Sequence, residues 1–485
     1  MSNYESLERA LQSAGEAHSE IPLPPAELDM RITRGIEQGK KERLRARRLL
    51  RRRLWSAAAA CLLLMTCVFG IRLSPAFASM LRDIPGMETF VNFIRSSNDR
   101  GLGLALDNEF VQPLAISDEY GGISFTVEGM IADENRVVIF YSINSGSDQK
   151  LVVLDRLQIK APDGKELGAM SSYGDIGIEQ ELPFKGLNKG YVDIQMENGS
   201  RVPDAVTLKA QLKLADPDNP AARYEGPDLD ATEPSEAVEP ARPNDRFYEV
   251  TIPIDQSKFA GMKREYHLNQ TITVEGQRIN FVKATVTPLQ VRIEVKSDPA
   301  NSKEVFGAGD IRLTDENGEQ WKSFWSMGNV DDGATIGFES NFFRKPKELY
   351  LEGEWFRALD KDKMDVVVDM DRQELIHKPD SLLKLRSITP FGKYKKLTLS
   401  MLVDHETDNM MYGGMLESKF KDASGKEYDM ADIPGGVISG SSGRGAPNEQ
   451  ESYYYLNDED YEQPLAFRVY QYPSYIRQPY KIQIK

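Results

Sequence analysis

Past residue 107 the chain alternates apolar and polar side chains, the two-residue period of strands with one buried face. Ile123-Ser124-Phe125-Thr126-Val127 is one such stretch, and 137–143 is a strand-length run that is apolar except for Ser142. A strand, an Asp-containing turn closed by glycine and a return strand recur at 157–166, 311–320 and 420–428. The turns read Pro162-Asp163-Gly164, Asp315-Glu316-Asn317-Gly318 and Asp422-Ala423-Ser424-Gly425. This is hairpin chemistry, since Asp bonds to its own backbone and glycine accepts a positive φ. Strand-like segments precede the turns (138–143, 289–295, 397–403) and follow them (206–214, 348–354, 465–470). The pattern predicts a mainly β protein of tandem immunoglobulin-like antiparallel β-sandwiches, at 107–215, 246–375 and 376–485. Between the first two, 216–245 combines Pro217, Pro220, Pro227, Pro234, Pro240 and Pro243 with many acids, which predicts an extended linker. The Gly/Ser-rich stretch 435–448 reads as a long loop inside the third sandwich.

Ahead of the strands the period lengthens. Met80, Leu81, Ile84, Met87, Phe90, Val91 and Ile94 predict a short amphipathic helix, interrupted near Pro85-Gly86, in a helical connector over 72–106. Residues 54–71 (LWSAAAACLLLMTCVFGI) carry no charge. At helical rise they span roughly 27 Å, close to the ~30 Å hydrocarbon core. Lys40, Lys41, Arg43, Arg45, Arg47, Arg48, Arg51, Arg52 and Arg53 precede this run against a lone Glu42, and Arg72 follows it. That bias predicts a single-pass transmembrane helix with residues 1–53 in the cytoplasm and the β-rich region outside. A buried globular helix is the bland alternative, and the abutting cations speak against it. Ala76 and Ala78, flanking Phe77, form a small-x-small processing site, so a cleaved signal is a rival. The long segment ahead of the apolar run favours an uncleaved anchor.

Within 1–53, Pro22, Pro24 and Pro25 break the chain, and Leu28, Ile32 and Ile36 then recur every fourth residue. Such a stripe either docks into a partner's groove or lies on membrane lipid, held by the basic run.

Charge sharpens the division. The net charge is −15, yet residues 1–53 hold 12 Lys/Arg against 8 Asp/Glu, leaving 48 against 67 for the rest. So acidic an outer region repels phosphate backbones, which argues against nucleic acid as a partner. Cys61 and Cys67 both lie in the apolar run, so the outer region has neither disulfides nor Cys-based zinc sites. Chemistry-bearing patterns are sparse. His18, His267, His377 and His405 are scattered, and Asp404 to Asp408 and Asn457 to Asp460 read as charged loops rather than metal sites. No nucleophile elbow or phosphate-binding glycine loop occurs, so no enzyme and no cofactor are expected. Tyr453, Tyr454, Tyr455, Tyr461, Tyr470, Tyr472, Tyr475 and Tyr480 crowd the last sandwich, as core filling or as a contact surface.

From the anchor through the first sandwich the chain resembles the DUF4179 family of Gram-positive (Bacillus/Paenibacillus-type) membrane proteins. The likeness is carried by the basic run, Ala76-Phe77-Ala78, Ile84-Pro85-Gly86-Met87, Asp99-Arg100-Gly101-Leu102, Gly122-Ile123, Asp133 and the strand from Arg136 to Tyr141. The C-terminal copies resemble the immunoglobulin-like domain that accompanies that family. The resemblance implies an anti-sigma-factor-like transmembrane regulator. On that expectation the outer region senses an envelope ligand or protein, and the stripe of Leu28, Ile32 and Ile36, read from its spacing, is where a cytoplasmic sigma factor would dock. A zinc-type anti-sigma motif is absent. The alternative expectation is a structural or adhesive surface protein that binds wall polymer or another protein.

Overall fold

The computed structural model describes residues 2–19, 87–97, 99–146, 151–176, 186–215, 242–408, 410, 412, 414–433, 439–442 and 448–485. The chain divides into two compact units, Met1–Ser74 and Pro75–Lys485. In the first, helix α1 (Ser2–Ser19) is described, with Leu7 and Leu11 exposed.

The second unit opens with α2 (Met87–Ser96), whose Met87, Phe90, Val91 and Ile94 face inward at helical spacing. Helix α3 (Arg100–Asp107) follows, capped by Asp99, whose carboxylate accepts a hydrogen bond from the Leu102 N–H. Both helices pack on a five-stranded antiparallel sheet ordered Val111–Tyr120, Ile123–Ala132, Arg136–Asn144, Leu187–Met196, Ala169–Asp175. A three-stranded sheet of Leu151–Lys160, Ala205–Ala215 and Tyr248–Pro253 closes the first core. Its last strand comes from beyond the acidic linker, so this core extends to Ile254 and Phe259.

The second core lies within an eight-stranded sheet running from Tyr480–Gln483 through Leu349–Gly353, Arg312–Asp315, Gln320–Met327, Ala334–Glu339, Gln290–Ser297 and Gln277–Val286 to Arg264–Val274. Its two outer strands meet, since Gln270 Nε2 donates to the Gln483 carbonyl at 2.7 Å. A small sheet of Lys303–Gly309, Trp355–Asp360 and Tyr475–Ile476 supplies Val305, Phe356, Ala358 and Ile476 to the same core. The third core sits between a five-stranded sheet containing Asp365–Asp369 and Leu465–Val469 and a four-stranded sheet containing Tyr394–Leu402 and Glu449–Asn457. The chain leaves the second core on Trp355–Asp360 and returns beside it, with Arg357 opposite Tyr475. The third core is thus an insertion in the second.

The expected fold class needs a correction. The mainly β, antiparallel character stands, but the transmembrane helix is not supported: among the described residues no helix is long and apolar enough to cross a membrane. Helices α2 and α3 have 10 and 8 residues, well short of the ~20 a span requires, and α1 is polar. Residues 54–71 lie outside the described residues, as do Arg47, Arg48, Arg51, Arg52, Arg53, Ala76 and Ala78. The tandem arrangement also changes, because the second core is a sheet with meeting edges and the third is inserted into it.

Candidate functional site

The first two cores meet at the turn between Ile123–Ala132 and Arg136–Asn144. Asp133, wholly buried, organises this turn: Oδ1 accepts from the Asn135 and Arg136 N–H groups at 2.8 and 2.9 Å. Its Oδ2 reaches into the second core's territory and accepts from the Leu289 N–H at 2.8 Å. The Leu289 side chain, from the loop before Gln290–Ser297, is itself packed in the first core. Burial raises the Asp133 pKa above 3.8, against these backbone donors.

Arg136 begins a strand that runs through Val137, Val138, Ile139, Phe140 and Tyr141, and is buried. It forms a two-pronged pair with Asp193 (Nε to Oδ1 3.0 Å, Nη2 to Oδ2 2.7 Å), and its Nη1 donates to Asp99 Oδ2 at 2.6 Å. Burial opposes the charge, but the two aspartates overcome it and hold the guanidinium proton more firmly than usual. The guanidinium lies 4.9 Å from the centroid of the Phe324 ring. Arg100, the next residue after the cap, pairs with Glu319 and donates to the Gln320 carbonyl, while its backbone N–H donates to Glu339. Gly101 allows the approach: a Cβ there would fall 2.9 Å from Ser340 N and 3.0 Å from the Leu289 carbonyl oxygen.

Beside this clasp lies a cleft of about 300 Å³, walled by Phe93, Tyr191, Phe324, Arg136, Asp193 and Lys322. Phe93 and Tyr191 stack at 4.8 Å, and Phe324 is 41% exposed despite its arginine neighbour. An apolar cleft between domains with a few convergent polar groups is the usual form of a small-ligand site. Its carboxylates are already engaged, Asp99 and Asp193 by Arg136 and Glu339 by backbone N–H groups, so the arrangement suits binding better than proton transfer.

A second clasp joins the second and third cores. Arg357 and Asp408 are 1% and 0% exposed and pair in two-pronged fashion, Nε to Oδ2 at 2.8 Å and Nη2 to Oδ1 at 2.6 Å. Tyr412 and Tyr475 hydroxyls donate to the same carboxylate at 2.8 and 2.9 Å, and the guanidinium sits 3.7 Å from the Tyr412 ring centroid. Burial works against ionisation of Asp408, yet Arg357 and Tyr412 hold its carboxyl below the usual range. Burial and Asp408 push the Tyr475 phenol up to about 12.

Leu28, Ile32 and Ile36 lie outside the described residues. Among the described residues, no group of three or more His, Cys, Asp or Glu side chains could hold a metal ion. Asp408, read from the sequence as part of a solvated loop, is instead buried in the second clasp. Tyr454 and Tyr472 fill the third core, whereas Tyr470 is 48% exposed. Sequence reasoning missed Arg136, Asp193, Leu289 and Phe324. A signal for the first was available: an arginine directly ahead of the apolar run Val137 to Tyr141 needs buried counter-charges.

No curated protein matches the chain. A crystal structure of a conserved domain protein from Bacillus anthracis is similar over 55% of this chain and 84% of its own, at 14% identity and a TM-score of 0.35, too slight a likeness to carry an argument. Residues 48–145 match DUF4179, a domain of unknown function, and residues 263–385 match DUF5643, a family of unknown function. Asp99, Arg100, Asp133 and Arg136 fall in the first stretch and Leu289, Glu319, Phe324 and Glu339 in the second, so the clasp joins a region similar to DUF4179 to one similar to DUF5643.

Proposed function

We propose that this protein is a non-catalytic regulator attached at the cell envelope, with its β-rich region as the receiving end and residues 1–53 as the signalling end. The observation that carries this reading is the cleft at the Arg136 clasp. Its walls come from both cores, so a ligand lodged there changes how firmly the two are joined. The charge division between residues 1–53 and the remainder supports two ends working in different surroundings. On this reading Leu28, Ile32 and Ile36 dock a cytoplasmic sigma factor, folding on contact because so short a segment has little core of its own.

The test is a crosslinked pull-down of the full chain from native membranes, with a photoreactive group at residue 33. Recovery of a sigma factor, lost in an Ile32→Asp/Ile36→Asp variant, is the expected result. Recovery of no cytoplasmic protein sinks the signalling half of the reading. An adhesive surface protein is the second reading, favoured by the exposed aromatic rings of Tyr120 and Phe247.

A further inference from the structure

The strands of the first core have two ends. At one, Ala132 faces Val137 and the second core is clasped; at the other, Tyr120 pairs with Ile123 and Ser124 with Asn144. This far end takes no part in the Arg136 clasp, and it carries aromatic residues from both sheets.

Tyr120 ends a strand of the five-stranded sheet and is 51% exposed; Phe247 precedes the last strand of the three-stranded sheet and is 37% exposed. Between the sheets, Arg246 lies 5.1 Å from the Tyr120 ring centroid and 5.7 Å from that of Tyr248, and is tied to Asp118. The Tyr248 hydroxyl donates to the Tyr120 carbonyl at 3.2 Å, and the Asp118 carboxylate accepts from the Glu249 N–H at 2.9 Å. The Tyr120 ring is therefore held in place before any ligand arrives, which lowers the entropic cost of binding. Tyr120 also lines an open groove of about 330 Å³, together with Glu119, Ser124, Asn144 and the Gly121-Gly122 turn. Both glycines have positive φ, +59° and +81°, and a Cβ on either would meet nothing within 4 Å, so the backbone lies bare to the groove. Asn144 Oδ1 accepts from the Gly146 N–H at 2.9 Å, which turns the amide's donor end to a ligand.

We propose that this end binds a polysaccharide of neutral or N-acetylated amino sugars. The exposed half of the Tyr120 ring suits the apolar face of a sugar ring, and a carboxylate, a hydroxyl, an amide and bare backbone suit its hydroxyl and acetamido groups. A peptide would want a deep apolar pocket for an anchoring side chain, and this groove is open. Glu119 and the acidic balance beyond residue 53 disfavour anionic wall polymers and anionic lipid.

The experiment uses the full-length protein in neutral detergent micelles, with retention on insoluble chitin and titration with soluble chito-oligosaccharide. Wild-type protein binds both, and Tyr120→Ala weakens the titrated affinity by roughly tenfold or more, the usual loss for a central aromatic contact. Tyr470→Ala, an exposed tyrosine in the third core's region, leaves it unchanged. An unaltered melting temperature in Tyr120→Ala, whose ring is half exposed, separates lost contact from lost fold. The proposal is overturned if the wild type binds neither probe, or if Tyr120→Ala binds as well as wild type. It is equally overturned if the Tyr120-dependent binding is to phosphatidylglycerol vesicles and not to the glycan.

Discussion

Replacing Arg357 with alanine should loosen the inserted third core from the second. The substitution leaves Asp408, 0% exposed, with its tyrosine and backbone donors but without its counter-charge. Uncompensated burial of one partner of such a pair costs about 3–5 kcal/mol. Arg357 also gives up its bond to the Met410 carbonyl at 2.8 Å and its contact with the Tyr412 ring. For a domain of ~150–250 residues each kcal/mol moves the melting temperature by about 2–4 °C, so a fall on the order of 10 °C is expected. Differential scanning calorimetry of the full-length protein reads it, with Arg95→Ala as the comparison. Arg95 pairs with Asp107 at 3.0 Å, but both side chains are about half exposed, and such pairs contribute under about 1 kcal/mol. A shift for Arg357→Ala no larger than that of Arg95→Ala would refute the reasoning.

Three further expectations come from the same geometry. Asp408 titrates below 3.8 in the folded protein, so its stabilising charge is complete above that pH and is lost as pH falls through the lower folded value. The melting-temperature gap between wild type and Asp408→Asn should hold steady near neutrality and close in acid below pH 3.8; a gap that widened in acid would contradict this. Deleting residues 475–485 removes Ile476, Tyr480, Ile482 and Ile484 from the second core, so limited proteolysis should first cut within 264–353 and spare the third core. Gly101→Val should push Ser340 and Leu289 away and lower stability by about 1–3 kcal/mol, measured by urea unfolding, whereas Gly103→Ala, with open space around it, should be neutral or slightly stabilising.

Local patterns were the legible part. The spacing of Met87, Phe90, Val91 and Ile94 marks the buried face of α2, and 137–143 lies in a central strand buried on both faces. The Asp-Gly turns at Asp315 and Asp422 share one device: the carboxylate accepts from the N–H groups two and four residues on, and the glycine holds φ near +80°. Such turns report only on a few neighbouring residues. What joins to what was not legible, because sheet order is set by contacts far apart in sequence. Tyr480–Gln483 pairs with Leu349–Gly353 across more than a hundred residues, and Tyr248–Pro253 completes a core begun before the linker. The clasp failed to show for the same reason: Asp99, Arg136, Asp193 and Leu289 belong to different elements and become one site only when folded.

The first and second cores are joined around Arg136 and the Asp133–Leu289 contact. Hydrogen–deuterium exchange on full-length wild type and Arg136→Ala tests this directly. Loss of protection in both 137–143 and 290–297 is the predicted result, since the clasp and the Leu289 plug serve both cores. Faster exchange confined to the first core, with 290–297 as protected as in wild type, would contradict it.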